Sequence, residues 1–375
     1  MKKTCVLLMV VALSCCLLLG CENKPINLAD QKGMFRPATF GMAKSEDGIY
    51  IANKMVYFFD PTLEQAVVLC NDPECTHESL YCNAAIGEGN GDSASLFYWN
   101  QFLYMVGVDK NEDELCLYQI RPDGSGYEKY ISIANVSSNY SIDSQTVSFH
   151  GGALYFIITE HFKTGKEYHL YRLEIEKGAE PEEITVLEGE LSEIISINSG
   201  DDGLWLQQQR YYEQGNTTSK LYYLEDGQTE FQTILDNMAD SRPMGPTPSG
   251  DGFYYMSNQK IWQYVDGKET VVVERAQSGV QKGVLLYQDW ILDSTGTAID
   301  IYDKEGTLIN TVDHTKVGET SQETMTDCYL AGVDENGLYL AFINAMDYMH
   351  FLYYAEMGDV VSEEEVEWKL ILENF

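Results

Sequence analysis

An all-β fold is predicted by three observations on this chain of 375 residues. The composition is rich in strand and turn formers, with 26 Tyr and 31 Gly. Long amphipathic helical windows are essentially absent from the sequence. Above all, a two-part phrase recurs about every fifty residues, and a period of that size marks a repeat architecture. Its first part, often opened by glycine, runs Ile49-Tyr50, Leu103-Tyr104, Leu154-Tyr155, Leu204-Trp205, Phe253-Tyr254, Trp290-Ile291 and Leu338-Tyr339. Its second part follows as Tyr57-Phe58, Leu117-Tyr118, Leu170-Tyr171, Leu221-Tyr222, Ile261-Trp262, Ile301-Tyr302 and Leu352-Tyr353. Polar turns such as Glu225-Asp226-Gly227 and Val265-Asp266-Gly267 come next, where glycine accepts the positive φ of a tight hairpin. Each unit therefore reads as three or four short antiparallel strands. Seven such units between residues 39 and 375 predict a single-domain β-propeller of seven blades. Six or eight blades are the neighbouring counts, and a pair of β-sandwiches is the runner-up. The recurring aromatics are expected as core between blades.

Taken in order, residues 1–20 carry Lys2 and Lys3 ahead of an apolar run from Val6 to Leu19. That run is shorter than the roughly 20 apolar residues a membrane span needs, and its basic start fits a secretory signal. It ends in Leu18-Leu19-Gly20-Cys21, which resembles the lipobox of bacterial lipoproteins. The resemblance implies cleavage before Cys21 and acylation of its thiol, palmitate included, so that the protein is lipid-anchored on the extracytoplasmic face of the cell membrane. Residues 21–38 are polar, with two prolines and no apolar period, and are expected as a flexible tether. The repeats follow, the sixth being the shortest, around Trp290. The acidic stretch Ser362–Glu367 is read as a short helix, or else the alternating Glu365–Leu370 as a last strand.

Composition narrows the partners. The chain has 24 Lys+Arg against 59 Asp+Glu, a formal charge of −35. Nucleic acid is excluded, because phosphate recognition needs clustered cations. A polybasic contact with anionic lipid is excluded for the same reason. Wholesale disorder is excluded by a hydrophobic fraction of 44%.

One insert, residues 69–84 between the first two units, concentrates chemistry. Its sequence places Cys70, Cys75, His77 and Cys82 in the spacing C-x4-C-x-H-x4-C. Thiolate and imidazole are the ligands that tetrahedral Zn2+ favours, and Cys3His is a known structural set. Asn71-Asp72-Pro73 favours the turn that returns Cys75 towards Cys70. Three readings stand side by side: a structural Zn2+ clip, a Cys70–Cys82 disulfide with a spare thiol, and free thiols. The segment is similar to an LC-x4-C-x-H-x4-CNA signature of uncharacterised clostridial lipoproteins that carry it ahead of a propeller. Leu117-Tyr118-Gln119-Ile120-Arg121-Pro122-Asp123-Gly124-Ser125-Gly126 likewise resembles a repeat phrase of TolB-like and lipoprotein-receptor-like propellers. Only this unit matches the phrase fully. These resemblances imply fold and anchoring.

Other candidates lack a pattern. Cys116 and Cys328 sit in apolar alternation and are expected as core. His150, His161, His169, His314 and His350 show neither metal spacing nor a sequence neighbour that makes a triad. Asp109–Asp113 lacks the glycine and glutamate of a calcium loop, and Ser199–Trp205 falls one residue short of an Asp box. The expected function is a membrane-anchored binding or scaffold module for a glycan, peptide or envelope protein. A carbohydrate-active hydrolase or lyase on the same scaffold is the alternative, with binding favoured over catalysis.

Overall fold

The computed structural model describes residues 33–35, 41–78, 82–86, 95–109, 113–135, 140–142, 146–199, 203–212, 217–239, 241–247, 252–257, 259–275, 283–295, 297–315, 317, 325–344, 350–362 and 365–373. They form seven antiparallel sheets that follow one another along the chain. Each sheet is a blade of four strands, a to d. Blade 1 comprises Gly41–Lys44, Ile49–Ala52, Val56–Phe59 and Val67–Val68. Blade 2 comprises Ser95–Trp99, Phe102–Asp109, Glu114–Ile120 and Tyr127–Asn135. Blade 3 comprises Val147–His150, Ala153–His161, Lys166–Glu174 and Glu182–Gly189, with Tyr140–Ser141 added beside strand b. Blade 4 comprises Glu193–Ser199, Gly203–Tyr211, Thr217–Glu225 and Gln232–Ala239. Blade 5 comprises Ser241–Pro246, Gly252–Ser257, Lys260–Val265 and Lys268–Glu274. Blade 6 comprises Gly283–Tyr287, Trp290–Ser294, Ala298–Asp303 and Leu308–Asp313. Blade 7 comprises Met325–Asp334, Gly337–Asn344, His350–Glu356 and Lys369–Glu373.

The repeated phrase maps onto this frame in one way. Its first part lies in strand b of every blade and its second part in strand c. The glycine that often opens strand b is a packing requirement. A Cβ on Gly203 would collide with the carbonyl oxygen of Leu224, and one on Gly337 with that of Ala355. In blades 2 to 7 the c–d register slips at the second part of the phrase, at Leu117/Tyr118, Leu170/Tyr171, Leu221/Tyr222, Ile261/Trp262, Ile301/Tyr302 and Leu352/Tyr353. A bulge there raises local twist. It lets the aliphatic residue bury towards the following blade while the neighbouring aromatic packs towards the preceding one, as Leu221 does on blade 5 and Tyr222 on blade 3.

Seven apolar cores follow, one for each pair of adjacent blades. Leu103 and Met105 meet Tyr50 and Val56 between blades 1 and 2, for example, and Trp205 and Leu221 meet Phe253 and Tyr255 between blades 4 and 5. The recurring aromatics Tyr50, Tyr104, Trp205, Tyr254 and Tyr339 are buried in these cores, as expected. Seven cores for seven blades means that the ring closes. At the closure, Met42, Ile49, Ile51 and Phe59 of blade 1 pack on Ala331, Tyr339, Leu352 and Tyr354 of blade 7. Lys44 reaches across the same seam to Asp334, with Nζ 2.6 Å from Oδ2 and both side chains nearly or fully buried. The Ala66 N–H donates to the Ile371 carbonyl at 2.7 Å, and Lys369 Nζ donates to the Leu63 carbonyl.

Two segments differ in detail from their sequence reading. Gly33–Phe35, within the segment read as tether, pairs antiparallel with Met325–Asp334 on the inner edge of blade 7. The helix near the C-terminus, α1, is Met357–Ser362, earlier than the acidic run, because Met357 and Val360 bury against blade 7. The last strand begins only at Lys369. Cys21, the signal segment and most of the tether lie outside the described residues. The short sixth unit is a complete blade whose a–b hairpin turns tightly at Gln288, with φ of 50°.

Candidate metal centre

The insert of residues 69–84 is a wedge between blades 1 and 2. Both of its ends are hydrogen-bonded to the b–c turn of blade 1. Leu69 N–H donates to the Val56 carbonyl at 2.9 Å, Val56 N–H to Ala84 at 2.9 Å, and Ile86 N–H to Lys54 at 3.1 Å. Leu69, Cys82, Ala84, Ala85 and Ile86 are buried among Leu96, Leu103 and Tyr118. Between these ends the chain turns at Asn71–Glu74, where Asp72 Oδ1 accepts from the Glu74 N–H at 3.0 Å. The Cys75 N–H then donates to the Asp72 carbonyl at 3.2 Å, which returns Cys75 towards Cys70. His77 takes a positive φ of 58° and turns the chain again.

The structure brings together all four residues singled out by spacing. The ligand atoms of Cys70, Cys75, His77 and Cys82 lie within 4.8 Å of one another, with Cys82 Sγ 3.5 Å from His77 Nδ1. Cys82 is buried and the other three are half-buried. Cys70, Cys75 and Cys82 are free thiols, so the Cys70–Cys82 disulfide is not formed. Bonds of about 2.3 Å to sulfur at tetrahedral angles place sulfurs about 3.8 Å apart, so this cluster fits a single ion. The set could bind a metal ion, and with four protein ligands such a site is closed.

Electrostatics favours a cation there. Burial pushes the Cys70 thiol up, but the N–H groups of Asp72 and Asn83 and the neighbouring thiols more than offset it, so it ends below the ordinary range. Burial pushes the Cys82 thiol up to about 11, opposed by the Ala84 N–H that donates to its sulfur at 3.5 Å. Thiols this close can ionise together only beside a counter-charge, which a bound cation would supply.

The Asp123-Gly124-Ser125-Gly126 turn of blade 2 docks on this insert. Asn71 N–H donates to the Gly124 carbonyl at 3.0 Å, and a Cβ on Gly124 would come within 2.9 Å of the Asn71 nitrogen. With φ of +75°, Gly124 meets both demands. The one full copy of the phrase is thus the copy that touches the Cys/His loop.

The remaining candidates sort as follows. Cys116 and Cys328 are buried core residues, and burial pushes the Cys116 thiol up to about 11. His150, which has no partner nearby in sequence, gains two through the fold. Its Nδ1 is 2.8 Å from Ser199 Oγ, and its Nε2 is 2.8 Å from Asp226 Oδ1. Both partners come from blade 4, Ser199 at the end of strand a and Asp226 in the c–d turn, 49 and 76 residues away, so local spacing carried no signal. His169, also read as lacking metal spacing, is brought beside Glu160 and Glu167 by the blade 3 hairpin. Counting back from the Phe162–Gly165 turn would have paired Glu160 with Glu167.

The sequence matches no family model and no curated protein. Solved structures match over most of the chain. Hsv2 from Kluyveromyces lactis is 9% identical and covers 91% of this chain and 99% of its own, with a TM-score of 0.52. The β-propeller domain of the Trilobed protease from Pyrococcus furiosus, described as having an open velcro topology, is 9% identical. It covers 90% of this chain and 99% of its own at a TM-score of 0.51. TolB from Acinetobacter baumannii is 13% identical over 88% of this chain and 82% of its own, with a TM-score of 0.41. At these identities the likeness to the first two is one of fold alone, and the fold of this chain is the seven-bladed β-propeller.

Proposed function

We propose that the chain is a lipid-anchored, extracytoplasmic binding module. In this reading the acylated Cys21 holds a propeller at the outer face of the membrane. A structural Zn2+ on Cys70, Cys75, His77 and Cys82 pins the wedge between blades 1 and 2. The observation that carries the binding role is a set of exposed apolar and aromatic side chains along one edge of blades 3 and 4. Phe162, Leu191, Ile194, Tyr211 and Tyr212 are each exposed, in or within two residues of the b–c turns or the d–a connection. Those around blade 4 are drawn together: the Tyr211 N–H donates at 3.1 Å to the carbonyl of Ser192, which lies between Leu191 and Ile194, and the Arg210 guanidinium lies 5.0 Å over the Tyr212 ring. Tyrosines offer flat amphipathic contact area at low entropic cost, which suits the face of a sugar ring. A formal charge of −35 repels anions, so the favoured ligand is a neutral or cationic glycan. A cationic peptide or an envelope protein is the alternative.

A glycan and peptide array probed with the purified chain tests this. Binding that falls at least about tenfold in Tyr211→Ala/Tyr212→Ala is expected, that is about 1.4 kcal/mol or more. Binding indifferent to that change refutes the assignment of the surface. A second reading, hydrolysis on the same scaffold, is favoured by the Ser199–His150–Asp226 hydrogen bonds. Labelling of Ser199 by a fluorophosphonate, abolished in His150→Gln, would support it. Without labelling, the three residues serve as a tie between blades 3 and 4.

A further inference from the structure

Independently of the rim and of the cysteine cluster, the geometry points to a second metal site: Glu160, Glu167 and His169 of blade 3 bind a divalent cation of the class that prefers oxygen and imidazole ligands. The hairpin register pairs Glu160 directly with Glu167 and Ile158 with His169. Glu167 and His169 are two apart on one strand, so all three side chains share a face of the sheet. Like charges directly opposite on a sheet are destabilising. Among the described residues, no lysine or arginine lies within 4 Å of either glutamate, and the basic group beside them is the His169 ring.

The distances fit coordination better than hydrogen bonding. Glu160 Oε2 and Glu167 Oε2 are each 3.6 Å from His169 Nε2, and all three ligand atoms lie within 4.8 Å of one another. A separation of 3.6 Å is too long for a hydrogen bond. Two metal–ligand bonds of about 2.1 Å meeting at about 118° span it. His169 Nε2 is shut off from solvent and has no hydrogen-bond partner.

The other ring nitrogen sets the tautomer. Nδ1 is 3.0 Å from Glu183 Oε2, a carboxylate that can only accept, so Nδ1–H donates. The Tyr171 hydroxyl donates to the same Glu183 oxygen at 3.0 Å and fixes its position. A carboxylate on the far nitrogen is the usual support of a metal-binding histidine, because it orients the ring and raises ligand basicity. In the neutral ring this arrangement aims the Nε2 lone pair at two carboxylates. A cation between them turns that repulsion into coordination. Beside the ring is a cavity of about 240 Å³ lined by Tyr140, Ile158, His169, Tyr171 and Glu183. Three protein ligands leave positions open for water or a small exogenous ligand.

Mn2+ is the discriminating probe, because carboxylate and imidazole suit it and thiolate does not. The purified chain is titrated with MnCl2, and the loss of the free-ion EPR signal is followed. One Mn2+ per chain is expected, unchanged in Cys70→Ser/Cys75→Ser and weakened at least about tenfold in Glu160→Gln/Glu167→Gln, the equivalent of about 1.4 kcal/mol. Should the double variant lose its far-UV circular dichroism, Glu183→Gln keeps all three ligands and is expected to weaken binding about 10–100-fold. The proposal is overturned if the wild-type chain takes up no Mn2+, if a folded variant takes it up equally well, or if the cysteine variant alone abolishes uptake.

Discussion

Replacing Lys44 by methionine should open the ring at its seam. Lys44 Nζ lies 2.6 Å from Asp334 Oδ2 and 2.8 Å from Glu335 Oε2. Asp334 is fully buried, and Glu335 is partly exposed. At 2.6 Å and an effective dielectric near 20, the Lys44–Asp334 attraction is about 6 kcal/mol, which roughly offsets the cost of desolvating both ions. The intact pair therefore adds little net stability. Removing one partner is different, because it strands a buried carboxylate, and such losses cost about 3–5 kcal/mol. Asp334 Oδ1 also accepts the N–H groups of Asn336 and Gly337 at 2.9 Å each, bonds an asparagine oxygen can keep. Asp334→Asn in the Lys44→Met background should thus recover much of the loss. Burial already pushes the Asp334 carboxyl up against the pull of Lys44. Without Lys44 it rises further, so the Lys44→Met penalty should shrink as pH falls and the buried acid takes a proton. Urea unfolding followed by tryptophan fluorescence and far-UV circular dichroism measures both variants against the wild type. A Lys44→Met cost below about 1 kcal/mol, or a double variant no better than the single, would refute the argument.

Two further outcomes follow from the packing. Gly337→Ala should cost about 1–3 kcal/mol, since the new methyl meets the Ala355 carbonyl and the Tyr354 ring. Gly358→Ala on α1, with nothing within 4 Å, should be neutral or slightly stabilising in the same melts. Burial holds the His314 imidazole below its ordinary value of 6.5. The unfolded chain therefore binds a proton there before the folded chain does, and stability should fall as pH drops below about 6.5. His314→Gln should flatten that part of the stability–pH curve, and an unchanged slope would contradict it.

Much of the fold was legible because inter-blade cores need large side chains at fixed places. Pairs such as Leu221-Tyr222 and Ile301-Tyr302 mark strand c, and the pairs before them mark strand b. The Cys70–Cys82 cluster was legible too, because its ligands fall within one short insert whose turn residues are local. What stayed hidden depends on register or on distant chain. Glu160, Glu167 and His169 meet only through the pairing of one hairpin. Ser199 and Asp226 reach His150 from another blade, and Lys44 and Asp334 are 290 residues apart. The docking of Gly124 on Asn71 was hidden likewise, since a turn phrase does not name what it touches. The pairing of Gly33–Phe35 with the last blade had no sequence signal, being three residues in a polar segment.

The most direct test of the Cys/His wedge is cobalt substitution of the purified chain. Tetrahedral Co2+ on three thiolates and one imidazole should give intense visible d–d bands together with thiolate-to-metal charge transfer. Both should vanish in Cys75→Ser and be displaced by Zn2+. Uptake of Co2+ without charge transfer, or no uptake while Cys70, Cys75 and Cys82 all react freely with a thiol reagent, would contradict a metal at this site.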